Sequence, residues 1–323
     1  MDKKILITDI QHFSVNDGPG FRTNVYFKGC NMRCAWCHNP ETQALYPEIY
    51  WKRRLCVQCG ACLDACANDA INAPIPPEEA LSELSTYHKI IQERCNLCMD
   101  CVEACKFGAL EVVGKEYTVE EVLEEVMRDE PFYSNSGGGM TVTGGEPTAH
   151  PEFLLELLTR AKQKGLHTCM DTTGNCSWEI LRPILENVDL VLYDLKHLDS
   201  SEHERMTGVG NKLVLENLRR ICEVGHPIWV RIPIIPEYND TGRFHRQVVD
   251  FLKSLPRLVD RVDLLPFHNW CQEKYLWMGK EWGLSEWESM EPTFLNPTLE
   301  IYEEGGINAT IGGSGFEDTE SEG

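Results

Sequence analysis

"RTNVYFKGCNMRCAWCHNPET" runs from Arg22 to Thr42. Its first part, "RTNVYFKG" (22–29), is rich in β-branched and aromatic residues and reads as a strand. Three cysteines follow at once, Cys30, Cys34 and Cys37, spaced C-x3-C-x2-C with Trp36 before the last. Three thiolates on a four-iron cluster leave one iron without a protein ligand. Catalytic metal sites keep such an open position, whereas structural sites are closed. Taken alone, the three cysteines also allow a loose zinc or disulfide cluster completed by a ligand elsewhere.

Further short β-like runs recur downstream at 140–145, 167–174, 189–196, 228–235 and 261–268. Amphipathic segments alternate with them at 152–165, 177–188, 213–225 and 245–255. Alternating strands and helices imply βα units and a parallel sheet. With 22–29 this makes six strands, too few for the eight-stranded barrel, so an α/β fold with a partial, laterally open (β/α)6 barrel is expected. Cys30, Gly145, Asp171, Asp194, Lys196 and His268 all fall at strand C-terminal ends, where such barrels carry their sites. The barrel is assigned to 1–47 and 113–315, an inserted cysteine-rich domain to 48–112, and a disordered acidic tail to 316–323.

The formal net charge of −21 argues against nucleic acid, which needs a basic footprint. No apolar run approaches the ~18 residues of a membrane span, and "MDKKILITDI" (1–10) turns polar too soon for a signal peptide. A soluble, cytoplasmic protein is expected. Fifteen cysteines in such a chain point to metal rather than disulfides, and eleven lie between Cys30 and Cys105. Cys169, Cys176, Cys222 and Cys271 are scattered and read as small buried hydrophobes.

Within 48–112, "CVQCGACLDAC" and "CNLCMDCVEAC" both read C-x2-C-x2-C-x3-C, the run of bacterial two-cluster ferredoxins, in which the fourth cysteine serves the other cluster. One four-iron cluster is therefore expected on Cys56, Cys59, Cys62 and Cys105, and another on Cys66, Cys95, Cys98 and Cys101. Ala67 and Lys106 stand where the run usually has proline. Zinc favours two well-separated CxxC pairs over four cysteines in one short run.

The C-x3-C-x2-C motif resembles the signature of the radical S-adenosylmethionine (SAM) superfamily. "SVNDGPGFRTNVYFKGCNMRCAWCHNPET" (14–42), "SGGGMTVTGGEP" (136–147), "DTTG" (171–174), "YDLK" (193–196), "VRIPIIPEYND" (230–240) and "LLPFHNWCQEKYLWMGKEW" (264–282) narrow the resemblance to activating enzymes of glycyl radical enzymes. The pyruvate formate-lyase activase type lacks a ferredoxin insert, so the likeness is to the subgroup that carries one.

That resemblance implies a radical SAM oxidoreductase of anaerobic metabolism. Cys30, Cys34 and Cys37 would hold the cluster whose open iron SAM chelates. Trp36 and His38 match positions beside the adenine. Gly144, Gly145 and Glu146 match the segment that meets the SAM amino group, and His268 matches a ribose contact. Asp194 and Lys196, two apart on a strand and so on one face, would pair with the cationic and carboxylate ends of SAM. Arg231 is expected to reach cofactor or peptide, and Asp17 and Arg22 the incoming peptide. The implied reaction is reductive cleavage of SAM, followed by hydrogen abstraction from a backbone glycine of a partner glycyl radical enzyme by the 5′-deoxyadenosyl radical. A low-potential donor such as flavodoxin or ferredoxin would supply the electron through the insert's two clusters. No side-chain acid or base is required, and none is assigned. The alternative is a radical SAM enzyme acting on a small molecule, with auxiliary clusters binding it.

Overall fold

The computed structural model describes residues 3–75 and 87–314; the expected disordered tail lies outside the described residues. The strands are β1 (Ile5–Ser14), β2 (Arg22–Phe27), β3 (Glu48–Trp51), β4 (Leu110–Val113), β5 (Lys115–Tyr117), β6 (Gly139–Gly144), β7 (His167–Thr172), β8 (Leu190–Asp194), β9 (Ile228–Ile234), β10 (Arg261–Pro266) and β11 (Ala309–Ile311). Nine of them form one sheet in the order β11-β10-β9-β8-β7-β6-β2-β1-β5. The six expected strands lie side by side and run parallel, and β11 continues them past β10. β1 and β5 add an antiparallel extension at the other end, making the sheet mixed.

The parallel strands were legible because both faces are covered: every residue of β6 but its last is buried, and so is every residue of β8 but its last. The added strands carry weaker signals. β1 alternates buried and half-exposed positions through polar residues, and β11 has only three residues. The helices pack the outer face by spacing. In Pro151–Gln163, Phe153, Leu154, Leu157, Leu158 and Ala161 are buried, one stripe at three- and four-residue intervals. Its proline sits in the first turn, where a missing N–H costs nothing. Of the four scattered cysteines expected to be buried, Cys169, Cys222 and Cys271 are, whereas Cys176 is only partly buried.

The cysteine-rich segment begins and ends in a short two-stranded antiparallel sheet, a stem of β3 on β4, with Glu48 opposite Val113 and Trp51 opposite Leu110. Inside it the two cysteine runs follow one backbone course. Turns at Arg53–Leu55 and Gln92–Arg94 lead to extended Cys56 and Cys95. Gln58 and Leu97 then take φ 57° and 59°, and Gly60 and Met99 take 82° and 69°. Short helices Ala61–Asp64 and Asp100–Glu103 follow. Positive φ is uncommon for a side-chain-bearing residue, so its recurrence at Gln58, Leu97 and Met99 marks a loop wound tightly by its cysteine spacing.

The stem is anchored by charge. Lys28 at the end of β2 is fully buried and donates to Glu48 Oε2 at 2.7 Å and to the Glu41 carbonyl at 2.5 Å. Glu48 Oε1 accepts from Lys280 at 2.8 Å. Burial pulls the Lys28 ammonium below the usual lysine range, and Glu48 works against that. Glu48→Ala is expected to strand the buried Lys28 charge and cost about 3–5 kcal/mol, read as a lower urea midpoint. Lys280→Ala removes an ion pair from a side chain 37% exposed and should cost about 1 kcal/mol or less.

Candidate functional site

A cavity of about 680 Å³ opens at the C-terminal ends of the parallel strands. Cys30, Cys34 and Cys37 line one side of it. Their loop is held from both flanks. Gly29 N donates to the Thr42 carbonyl at 2.6 Å and Cys30 N to that of Gln43 at 3.2 Å. Arg33 N and Ala35 N donate to the carbonyls of Thr207 and Met206, at 2.7 and 2.9 Å. The Tyr275 hydroxyl donates to the Cys37 carbonyl at 2.9 Å, and the Trp282 indole to that of Ala35 at 3.0 Å.

Burial pushes the Cys30 thiol up to about 11 and the Cys34 thiol up to about 12, with Lys196 opposing the rise at each. Cys37 is raised by burial too. The three thiols line one cavity, though no three such side chains among the described residues are close enough to hold a single metal ion; thiols whose ionisation burial opposes fit a larger metal cluster, whose charge deprotonates its ligands.

Opposite the cysteines, β8 delivers Asp194 and the residue two beyond it, Lys196, whose Nζ donates to Asp194 Oδ2 at 2.7 Å. Burial works against the Lys196 charge, but Asp194 and Cys34 outweigh it and hold the ammonium above its ordinary range. From β9, Arg231 Nη1 stands between Asp17 Oδ1 at 3.2 Å and Asp171 Oδ2 at 3.4 Å. Burial raises the Asp171 carboxyl above its usual value, partly offset by Arg231.

At the rim, the His38 and His268 rings stack at 3.8 Å, with His38 Nε2 3.0 Å from the His268 carbonyl. Burial pulls His38 down to about 4 and lowers His268, so both imidazoles are neutral at pH 7. Trp36 is buried and packs on Tyr238 with ring centroids 5.2 Å apart.

Three buried polar atoms on cavity residues have no hydrogen-bond partner among the described residues: Asp171 Oδ1, Arg231 Nε and His268 Nδ1. Buried polar groups are nearly always paired. Orphans converging on one cavity fit a polar ligand such as SAM, with a carboxylate, an ammonium and ribose hydroxyls to offer.

Trp36, His38, Gly144, Gly145, Asp194, Lys196, Arg231 and His268 all line this cavity with the three cysteines. The glycines serve packing as well. A Cβ on Gly145 would lie 2.2 Å from the Gly29 carbonyl oxygen, and one on Gly144, at φ 117°, 2.4 Å from backbone atoms of Phe27.

Three of the expected residues lie outside the cavity lining. Glu146 is fully buried and does not line the cavity. Its Oε1 accepts from the hydroxyls of Thr148 (2.8 Å) and Thr172 (2.7 Å) and from Thr148 N (3.2 Å), and its Oε2 from Thr173 N (2.9 Å) and Oγ1 (2.7 Å). Its side chain therefore ties two loops together. Arg22, expected to meet a peptide, is also fully buried. It donates to Thr141 Oγ1 (2.6 Å) and to the carbonyls of Pro19 (3.0 Å) and Met140 (2.6 Å) at the N-terminal end of the sheet. Asp17 accepts from Ser14, Asn24 and Arg231, and its neighbour Asn16 lines the cavity instead.

Residues without a role in the sequence reading also line the cavity, notably Thr143, Asp171 and Trp270. The Thr143 hydroxyl donates to Asp171 at 2.8 Å. Asp171 is the next-to-last residue of β7, as Asp194 is the last of β8, and its strand-end position marks it without assigning a role.

Comparison with known proteins places this geometry. The Radical SAM superfamily model matches residues 24–245. The choline trimethylamine-lyase activating enzyme of Oleidesulfovibrio alaskensis is 38% identical over 88% of this chain and 90% of its own length. The trans-4-hydroxy-L-proline dehydratase activating enzyme of Clostridioides difficile is 34% identical over 95% and 99%. The 4-hydroxyphenylacetate decarboxylase activating enzyme of that species is 31% identical over 95% and 96%.

Replacing Arg22 by Met should strand several buried carbonyl and hydroxyl acceptors, at about 1–3 kcal/mol each. The expected result is a large fall in thermal stability with unchanged affinity for SAM in the protein that remains folded.

Proposed function

This chain belongs to the radical SAM superfamily, among the activating enzymes of glycyl radical enzymes, and from that premise we propose how its residues serve the reaction and how its clusters are arranged. The observation that carries the reading is the cavity itself, lined by three thiols together with the Lys196–Asp194 pair, Arg231 and His268. With a four-iron cluster and SAM bound, the site would supply one-electron reductive chemistry directed at a backbone glycine of the partner enzyme.

The chain's own groups bind and orient. Cys30, Cys34 and Cys37 would be the chain's ligands to the cluster. Lys196 meets the SAM carboxylate, and Asp194 keeps that ammonium charged and offers an anion to the cationic end. His268, neutral and with Nδ1 free, bonds the ribose. Trp36 and His38 flank the adenine, with Trp36 backed by Tyr238. Arg231, fixed between Asp17 and Asp171, meets the cofactor or the substrate glycine's chain.

For the insert we propose two further four-iron clusters, on Cys56, Cys59, Cys62 and Cys105, and on Cys66, Cys95, Cys98 and Cys101. The repeated backbone course supports this, as does one pocket lined by Cys56, Cys59, Cys62 and Cys105 together. Cys66 is likewise among the charges acting on Cys101, beside Cys95 and Cys98. Their work is to pass electrons from a low-potential donor such as flavodoxin or ferredoxin to the SAM-binding cluster. The activating enzymes among the relatives serve chemically different lyases and decarboxylases, so the partner's identity is a separate question from the activity.

The test mixes anoxic protein, SAM and reductant with candidate glycyl radical enzymes and looks for the glycyl doublet by electron paramagnetic resonance. About twelve irons per chain are expected from three four-iron clusters. SAM cleavage without a doublet on any candidate would count against the activase role. Lys196→Met should weaken SAM binding roughly 10–100-fold, the worth of a charge-assisted hydrogen bond of about 1.5–3 kcal/mol. The cluster's own spectrum should be preserved in that variant, which separates lost binding from a lost cluster.

A further inference from the structure

We infer that Lys89 makes the cluster held by Cys56, Cys59, Cys62 and Cys105 the more easily reduced of the two in the insert. The inference rests on the three-cluster reading above.

Lys89 is 1% exposed, inside a domain whose other lysines, Lys52 and Lys106, are not buried. Among the described residues its ammonium meets no carboxylate, and its one polar contact is the Tyr87 hydroxyl at 3.4 Å. A buried cation without a counter-ion is costly, so its position calls for negative charge close by.

The surroundings indicate where that charge lies. Lys89 lines the same small pocket as Cys56, Cys59, Cys62 and Cys105. Cys56 and Cys62 are also the charges that act on Tyr87, the residue Lys89 touches. Among the described residues no other lysine of this segment is buried, and Arg94, next to Cys95 in the other set, is exposed.

Four thiolates give an oxidised four-iron cluster a net negative charge, and reduction adds one electron. A fixed cation beside it stabilises the reduced form more than the oxidised one and raises the potential. The step is a single electron transfer: a reduced low-potential donor loses one electron and the cluster gains it. No bond forms or breaks, and no proton is needed. Two clusters with near-identical ligand loops are thereby made unequal, and an electron entering the insert settles on the Lys89 side.

The test is an anoxic potentiometric titration of the loaded full chain, followed by electron paramagnetic resonance. Lys89→Met keeps a chain of similar length and removes the charge. It should lower the higher of the two insert midpoints by about 59 mV, a tenfold change for one electron, and leave the other two midpoints in place. Lys89→Arg, which keeps the charge, should hold the wild-type value. Lys52→Met, at a lysine paired with Glu111 on the surface, should move none. Unchanged midpoints in Lys89→Met, or equal shifts in both insert clusters, would overturn the inference. If Lys89→Met does not load its clusters, the wild-type protein decides: two separated insert waves support the inference, and one merged wave overturns it. Iron content keeps the two readings apart. About four irons per wild-type chain would sink the three-cluster reading itself, whereas about twelve with unmoved midpoints would sink only the role of Lys89.

Discussion

A buried carboxylate that pairs with no cation among the described residues organises the C-terminal edge of this sheet. Glu146 is fully buried, and burying an ionised carboxylate is costly unless its lone pairs are filled. Thr148, Thr172 and Thr173 fill them, with two backbone N–H groups and three hydroxyls. The segment after β6 and the segment after β7 are thus fastened at one point. Gly144 and Gly145, on one side of it, line the cavity, and so do Asp171, Thr172 and Thr173 on the other. Gly145 lies so close to Gly29 that a side chain has no room, which sets the start of the cysteine loop against the same anchor.

A second set of charges joins the cysteine loop to the insert. Lys28, one residue before Gly29, shares Glu48 with Lys280. Lys274 reaches Glu41 and Asn39, just past Cys37, at 2.6 and 2.8 Å. The stem of the insert, the end of β2 and the segment 274–280 therefore meet in one partly buried network. His88 of the insert adds a contact to the Trp277 carbonyl at 3.1 Å. Any displacement of the insert would break charge pairs that also hold the cysteine loop, so the two cysteine-bearing parts are mechanically coupled.

Much of the site was legible because chemistry in a βα sheet collects at strand C-terminal ends. Once the strands are found from their apolar runs, the residues that follow each run are candidates, and Cys30, Asp194, Lys196 and His268 all line the cavity on that ground. The same rule marked Asp171, but no charge pattern near it in the chain reveals Arg231 as its neighbour. Arg22 and Glu146 went the other way. Each is a charged residue beside a glycine-rich turn, which from sequence looks like a place to meet a ligand. Both are consumed by hydrogen bonds to segments more than twenty residues away.

The sequence by itself determined the six central strands, the three-cysteine loop and the two repeated cysteine runs, because each is written in local spacing: β-branched runs covered on both faces, and ligands at fixed intervals. Tertiary structure alone decided that β1, β5 and β11 extend the sheet, that Glu146 and Arg22 are internal ties, and that Asp17, Asp171 and Arg231 form one charged group. The physical reason is the same in each case. A three-residue strand, a hydrogen-bonded carboxylate and a buried cation take their roles from partners distant in the chain, and local pattern carries no record of which partner folding brings near.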